Sequence, residues 1–249
     1  MKIDYDKIAP NYDNHRRVGG PYMPHLIQLA RQVDAKRVLE LGCGTGNSTR
    51  AFLQSYPCRL VALDPSEGML SEARGKDLQY VQLLRASATH VPLSDASIQF
   101  VFGVFFLHHV SDVAAVAREC RRVLSRGAAA FVTASTHFIK SHPMNRYFPS
   151  LPAVDRARFR TGTEIQAALR HAHFPRTRVQ TCKTNPQPID NAYVQKVAAK
   201  FISTYELIPP QEFQSGLARL KAEVANAGGK LKEEVAWEWT LVTAHDREV

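Results

Sequence analysis

The sequence predicts an α/β protein built on a doubly wound, mostly parallel sheet. Three observations carry that expectation. Apolar runs of strand length alternate with segments of helical period. Such alternation, with near-continuous apolar strands, gives a parallel sheet covered on both faces. The first run, Arg37-Val-Leu-Glu-Leu41, leads straight into Gly42-Cys-Gly-Thr-Gly46. The second, Arg59-Leu-Val-Ala-Leu-Asp64, ends on a carboxylate about 20 residues beyond that turn.

The elements follow in order. Leu26, Leu29, Ala30 and Val33 recur at helical spacing, so an amphipathic helix over Pro21–Val33 precedes the first strand. Strands are expected at Arg37–Leu41, Leu60–Asp64, Gln79–Leu84, Ile98–Phe105 and Ala128–Ala134, with helices at Ser66–Arg74 and Asp112–Leu124. Val113, Val116, Ala117, Cys120 and Leu124 form one apolar stripe on the latter helix, and Ser111 or Asp112 suits its N-cap. Beyond Ala134 the pattern loosens. Prolines 143, 149 and 152 make His137–Arg160 read as a loop. Thr161-Gly-Thr-Glu164 is a capping box that opens a helix to about His173. Arg176–Lys183 reads as a strand, and Ile189–Tyr205 and Pro210–Ala227 read as helices, the second stopped by Gly228 and Gly229. Val235–Ala244 alternates apolar and polar positions and reads as a closing strand. One domain over residues 1–249 is expected, with a core at about 34–136 and a lid with the last strands at about 137–249.

A hydrophobic content of 45% over 249 residues is ample for a core and excludes a mostly disordered chain. No apolar run approaches the ~18 residues of a membrane span. Met1–Asp6 shows no apolar signal region, and Cys43, Cys58, Cys120 and Cys182 lie far apart without metal-ligand spacing. A reducing, cytoplasmic setting is the expectation, with no metal and no membrane. Cys43 reads as a small residue fitted into the glycine turn. The net charge of +9 and pI near 9.5 speak to association with anions and not to fold. Arg118, Arg121, Arg122 and Arg126 fall opposite an apolar stripe and read as a solvated face, whereas Arg156, Arg158 and Arg160 suit an anionic substrate. Nucleic acid is the lesser expectation on this charge, though it stays open.

A strand, a glycine turn, a helix and a second strand ending in a carboxylate make nucleotide-binding geometry. The glycines fall as G-x-G-x-G, and Asn47 holds the slot of the third dinucleotide glycine. With Glu40 before it, this turn resembles motif I of the class I S-adenosylmethionine (SAM) methyltransferases. Ala86–Leu93 resembles the family's adenine-side segment, Phe100–Val110 its fourth strand and following turn, and Arg118–Gly127 the helix into strand five. The resemblance implies a seven-stranded sheet whose last two strands pair antiparallel at one edge, and a helical lid inserted before the last strand. It implies SAM as cofactor, with S-adenosylhomocysteine as product. Gly42 and Gly44 would lie against the methionine end. Asp64 would take the ribose hydroxyls, Pro65 and Met69 would pack the adenine, and Ser87 and Ala88 would address its edge. Phe105 belongs to the same strand-end set. Relatives often carry Asp at the Ser87 position, where serine offers a weaker contact. Tyr12, in Tyr5-Asp-Lys-Ile-Ala-Pro-Asn-Tyr-Asp13, either folds over the cofactor or packs an N-terminal arm. Arg16 or Arg17 is placed to pair with the cofactor's carboxylate.

Methyl transfer is an in-line displacement, so alignment carries much of the catalysis. A hydroxyl or ammonium acceptor also needs a base. His108 and His109, after the fourth strand, are the candidates, against the alternative that one of them packs or caps the next turn. His137 and His142 are similarly placed, and Tyr147 and Trp237 are possible pocket walls. The expected function is methyl transfer to an O, N or C nucleophile on a small molecule, by a monomer or homodimer. The lid favours a small acceptor. RNA or protein is the rival acceptor, and a non-catalytic SAM-binding protein the third reading. Phe105-Phe-Leu-His108 lacks the Asn/Asp-Pro-Pro-Tyr pattern of nucleobase amino-methylation.

Overall fold

The computed structural model describes residues 3–14, 19–76 and 78–247. A short N-terminal helix α1 (Tyr5–Ile8) is followed by α2 (Met23–Gln32), β1 (Arg37–Leu41), α3 (Asn47–Ser55), β2 (Arg59–Asp64), α4 (Glu67–Arg74), β3 (Val81–Arg85) and β4 (Ile98–Val104). Then come α5 (Val113–Val123), β5 (Leu124–Ala134), α6 (Thr136–Ser141), α7 (Leu151–Arg158), α8 (Gly162–His171) and β6 (Arg176–Lys183). The chain closes with β7 (Gln187–Asp190), α9 (Asn191–Ala198), α10 (Pro210–Asn226), β8 (Lys230–Val235) and β9 (Glu238–His245).

Seven strands form one sheet in the order β3-β2-β1-β4-β5-β9-β6. The first five pair in parallel, and β9 runs antiparallel between β5 and β6. The doubly wound sheet expected from the sequence is therefore present. The order reverses beside β1, because β2 and β3 build to one side and β4 to the other. The carboxyl ends of β1 and β4 part there and leave a crevice.

Two apolar layers hold the sheet. Phe52, Phe100 and Phe102 stack on one face, with ring planes within 22° of one another. On the other face α5 buries Val116, Ala117, Cys120 and Val123, the two valines contributing roughly 1.5–3 kcal/mol each. Asp112 caps α5 by accepting from the Ala115 N–H at 2.8 Å. The capping box at Thr161 and Glu164 is formed as its sequence predicts.

Three expectations need correction. His137–Arg160 is largely helical, in α6, a short 3-10 turn at Pro143–Arg146, and α7. Pro143 and Pro152 stand at helix starts, where a missing N–H costs nothing. Ile189–Tyr205 opens in a strand and is helical continuously only over Asn191–Ala198. Val235 does not begin the closing strand. It ends β8, which pairs antiparallel with β7 in a separate two-stranded sheet, and β9 starts at Glu238. These segments bury their own cluster, including Phe138, Phe148, Tyr205 and Leu220. The lid thus has a core distinct from the two beneath the main sheet.

Candidate active site

A cleft of about 1240 Å³ opens at the carboxyl ends of β1, β2 and β4 and runs beneath the lid. Its floor is the glycine turn. Gly44 has φ +54°, and a Cβ built there would meet nothing within 4 Å, so bare backbone faces the cleft. Gly42 is needed for a different reason: its Cβ would stand 2.4 Å from that of Phe106.

Glu40 anchors the turn from below. It is fully buried and accepts hydrogen bonds from Ser48 and from Thr49 Oγ1, the latter at 2.5 Å, which ties the start of α3 to β1. Burial pushes its carboxyl up to about 7, against the pull of the two hydroxyls. Asp64 stands at the end of β2. One of its oxygens accepts from the Gly44 N–H and the other from the Ser66 N–H, both at 2.9 Å. Each oxygen keeps acceptor capacity toward the cleft. Burial raises its carboxyl above the usual range, partly offset by those two bonds.

Pro65 and Met69 line the same wall, and Met69 is buried. Ser87 and Ala88 line the rim, but the Ser87 hydroxyl pairs with Thr89 Oγ1 at 2.8 Å and caps the Thr89 N–H, turning toward its own loop. Phe105 follows β4 at φ +48°, a strained conformation for an aromatic residue, with its ring 5.9 Å from that of Tyr22. Its N–H donates to the Val132 carbonyl at 2.9 Å, which holds the turn in place.

The N-terminal arm closes over this floor. Asp13 accepts from Thr45 Oγ1 at 2.6 Å and Asn47 Nδ2 at 2.8 Å, and pairs with Lys76 at 2.5 Å. Asp6 accepts from Ser66 Oγ at 2.6 Å and from the Gly68 N–H at 2.7 Å. Tyr12 lines the cleft and meets the Tyr5 ring edge-on at 6.2 Å. Both of its sequence readings, over the site and packing the arm, describe this one placement. Arg16 and Arg17 lie outside the described residues.

The two histidines have different surroundings. His108 stacks on Phe159 at 4.2 Å, and its Nδ1 is buried with no hydrogen-bond partner among the described residues. Burial, then His109 and Arg158, hold it neutral far below its usual range. His109 Nε2 shares a 2.8 Å hydrogen bond with the Tyr5 hydroxyl. Burial and the nearby Arg158 cation push it down to about 4, with solvent in the cleft softening that push. At neutral pH its ring therefore holds a lone pair.

Tyr5 and Asp13 bound the Tyr-Asp segment read from the sequence, but their partners lie far along the chain and Lys76 carries no local signal; Asp13 and Lys76 are 63 positions apart. Arg158 was flagged only as part of a charge cluster, yet it stands beside both histidines. Of the other candidates, His142 and Trp237 line the cleft, whereas His137 points outward to Glu238 at 3.4 Å. Tyr147 is held within the lid by Glu223 at 2.6 Å. Cys43 is buried and its thiol is pushed well above the usual range, which disfavours a thiolate. The described residues contain no group of three or more metal-type side chains placed to hold an ion, and no helix long and apolar enough to cross a membrane.

The parallel sheet, the glycine turn at its switch point and the carboxylate on the next strand are the arrangement that the resemblance to class I SAM-dependent methyltransferases implies. Residues 39–132, less than half of the chain, match the family described as "Methyltransferase domain". It is 32% identical over 130 residues to a demethylmenaquinone methyltransferase of Thermotoga maritima, covering 49% of this chain and 56% of that protein. It is 30% identical over 133 residues to the biotin biosynthesis bifunctional protein BioHC of Cellvibrio japonicus, covering 52% of this chain and 26% of that protein. The matched length is thus about half or less of these relatives. A candidate methyltransferase from an antibiotic biosynthesis pathway of Anabaena variabilis superposes with a TM-score of 0.72 at 20% identity, over 90% of this chain and 98% of that one. A Haemonchus contortus phosphoethanolamine N-methyltransferase, solved with S-adenosylhomocysteine, superposes at 0.60 and 13% identity, over 99% of this chain and 61% of that one. These likenesses carry the fold alone.

The residues fit SAM, the cofactor of this class. Gly44 leaves an unobstructed backbone surface, and Asp64 retains lone pairs toward the cleft for a diol. Met69 offers a thioether beside it for an aromatic base.

Proposed function

We propose that this protein transfers a methyl group from SAM to a small-molecule acceptor. The observation that carries the reading is the continuity and size of the cleft. Its volume of about 1240 Å³ exceeds the ~300–1,000 Å³ typical of a site for one small ligand. It joins the glycine turn to a chamber walled by lid residues such as Phe138, Tyr193 and Trp237. That enclosure suits a compact second ligand better than a polymer strand. The acceptor in the name of the Thermotoga maritima relative, demethylmenaquinone, points the same way.

In this reading Gly44, Asp64 and Met69 hold the cofactor, which supplies an electrophilic methyl on a sulfonium. Phe105 and Tyr22 wall the junction between the two halves of the cleft. The arm, clamped through Asp6 and Asp13, excludes water from the cofactor side. His109 is the side chain placed to receive the proton of a hydroxyl or ammonium acceptor, through Nδ1 in the tautomer whose Nε2–H donates to the Tyr5 oxygen. His108, stacked on Phe159, positions the segment that carries His109.

Label transfer from methyl-labelled SAM into host extract, separated into low-mass, protein and RNA fractions, tests the reading. Label confined to the low-mass fraction is expected. Label in RNA or protein would overturn it, and S-adenosylhomocysteine binding with no transfer to any fraction would favour a non-catalytic role.

A further inference from the structure

The lid half of the cleft presents buried hydrogen-bond donors without acceptors. His142 carries the argument. Its side chain is 9% exposed and lines the cleft, packed against Phe138 at 4.7 Å and Trp237 at 5.5 Å. Its Nδ1 accepts from the Met144 N–H at 3.0 Å, so the ring's hydrogen sits on Nε2. Burial holds the ring neutral by pushing it down to about 4. No group among the described residues accepts from Nε2. The Tyr193 hydroxyl, on the same lid side of the cleft, is likewise buried without a partner among the described residues, at a residue 5% exposed.

Each carboxylate lining this half has at least one oxygen engaged by the chain. Asp155 accepts from Thr204 Oγ1 at 2.5 Å beside Arg158, Asp190 accepts from the Tyr193 N–H at 2.9 Å, and Glu238 is bound by Ser135 and by Lys183 at 2.9 Å. A buried donor left without an acceptor is costly, so a ligand that brings the acceptor atom is favoured over one that brings another donor. The surrounding rings of Phe138, Trp237 and Phe201, spaced 5.1–5.8 Å apart, favour a flat apolar body.

We infer that His142, with the Tyr193 hydroxyl on the same side of the cleft, reads a hydrogen-bond-accepting oxygen on a flat, largely apolar methyl acceptor: a hydroxyarene or aryl carbonyl rather than an amine. The inference rests on the small-molecule reading above and gives that site its acceptor class. His142 is a specificity residue here, set apart from the proton acceptor His109.

The test uses the full chain saturated with S-adenosylhomocysteine and two probes of one skeleton, 2-naphthol and 2-naphthylmethylammonium. Ligand-observed NMR titration gives each affinity, and nitrogen-15 histidine spectra report the His142 tautomer and its Nε2 shift. The expected result is that naphthol binds more tightly than the ammonium and moves the Nε2 resonance. His142→Phe then weakens naphthol about tenfold while His142→Gln, which keeps a donor, restores part of it. Equal naphthol affinity in His142→Phe, preference for the ammonium, or binding by neither probe would overturn the inference. S-adenosylhomocysteine affinity separates the two levels. If it is retained in wild type and variants, a probe failure refutes the acceptor class alone; if the wild type does not bind it, the proposed function falls and this inference with it.

Discussion

Asp64→Ala separates two jobs held by one carboxylate. In the protein alone, the side chain accepts the Gly44 and Ser66 N–H groups, each at 2.9 Å. Hydrogen bonds to a charged group contribute about 1.5–3 kcal/mol apiece. Burial works against the charge, and the carboxyl stands above its usual range. Alanine therefore removes a desolvation cost along with the two bonds, and the terms largely offset. A net loss of about 1–2 kcal/mol in folding stability is expected. In a chain of this size that lowers the Tm by about 2–8 °C. Binding responds more strongly. Two ribose contacts at the lower end of the charged range sum to about 3 kcal/mol, or a loss in affinity of about 100-fold. Calorimetric titration with S-adenosylhomocysteine, beside thermal unfolding followed by circular dichroism, measures both quantities. An affinity within about threefold of wild type would refute the ribose assignment. A Tm loss well beyond about 10 °C would show instead that Asp64 chiefly holds the turn together.

Three further outcomes are expected. Gly44→Ala meets no neighbour but must adopt φ +54°; it should cost about 1 kcal/mol in stability yet weaken S-adenosylhomocysteine about tenfold or more, and unchanged binding would remove the turn from the site. His142 is held neutral down to about 4 in the fold, against about 6.5 when unfolded, so its contribution is complete above pH 6.5 and is lost as pH falls toward 4. At pH 5 this amounts to roughly 2 kcal/mol, with His108 and His109 acting in the same direction, and a urea midpoint unchanged between pH 7.5 and 5 would contradict it. His109→Ala should slow methyl transfer to a hydroxyl acceptor about 100-fold at nearly constant S-adenosylhomocysteine affinity, with Tyr5→Phe showing a smaller loss; full activity in both would exclude the pair from proton transfer.

The amino-acid order alone made the cofactor half of the cleft legible. β1, its glycine turn and the Asp64 that ends β2 are local features, and each position there demands a particular residue type for a backbone reason. A left-handed turn needs glycine at Gly44, and a strand buried on both faces needs an unbroken apolar run such as Phe100–Val104. The parallel core followed from alternation for the same reason. The lid was less legible, because its apolar residues serve a separate cluster and their spacing suits strand or helix equally. The β7–β8 pair and α7 emerged only when Phe138, Phe148 and Tyr205 packed together.

The lid half of the cleft and the surroundings of His109 were decided by tertiary structure. Tyr5 reaches His109 across 104 positions, and Asp13 reaches Lys76 across 63. His142 gains its meaning from Trp237, which arrives from the far side of the lid. No local pattern encodes such meetings, since each depends on how distant segments pack. Packing also separated two adjacent histidines of identical chemistry. It set His108 against Phe159 and turned His109 to the Tyr5 hydroxyl, because burial and neighbouring charge, rather than residue type, decide what an imidazole can do.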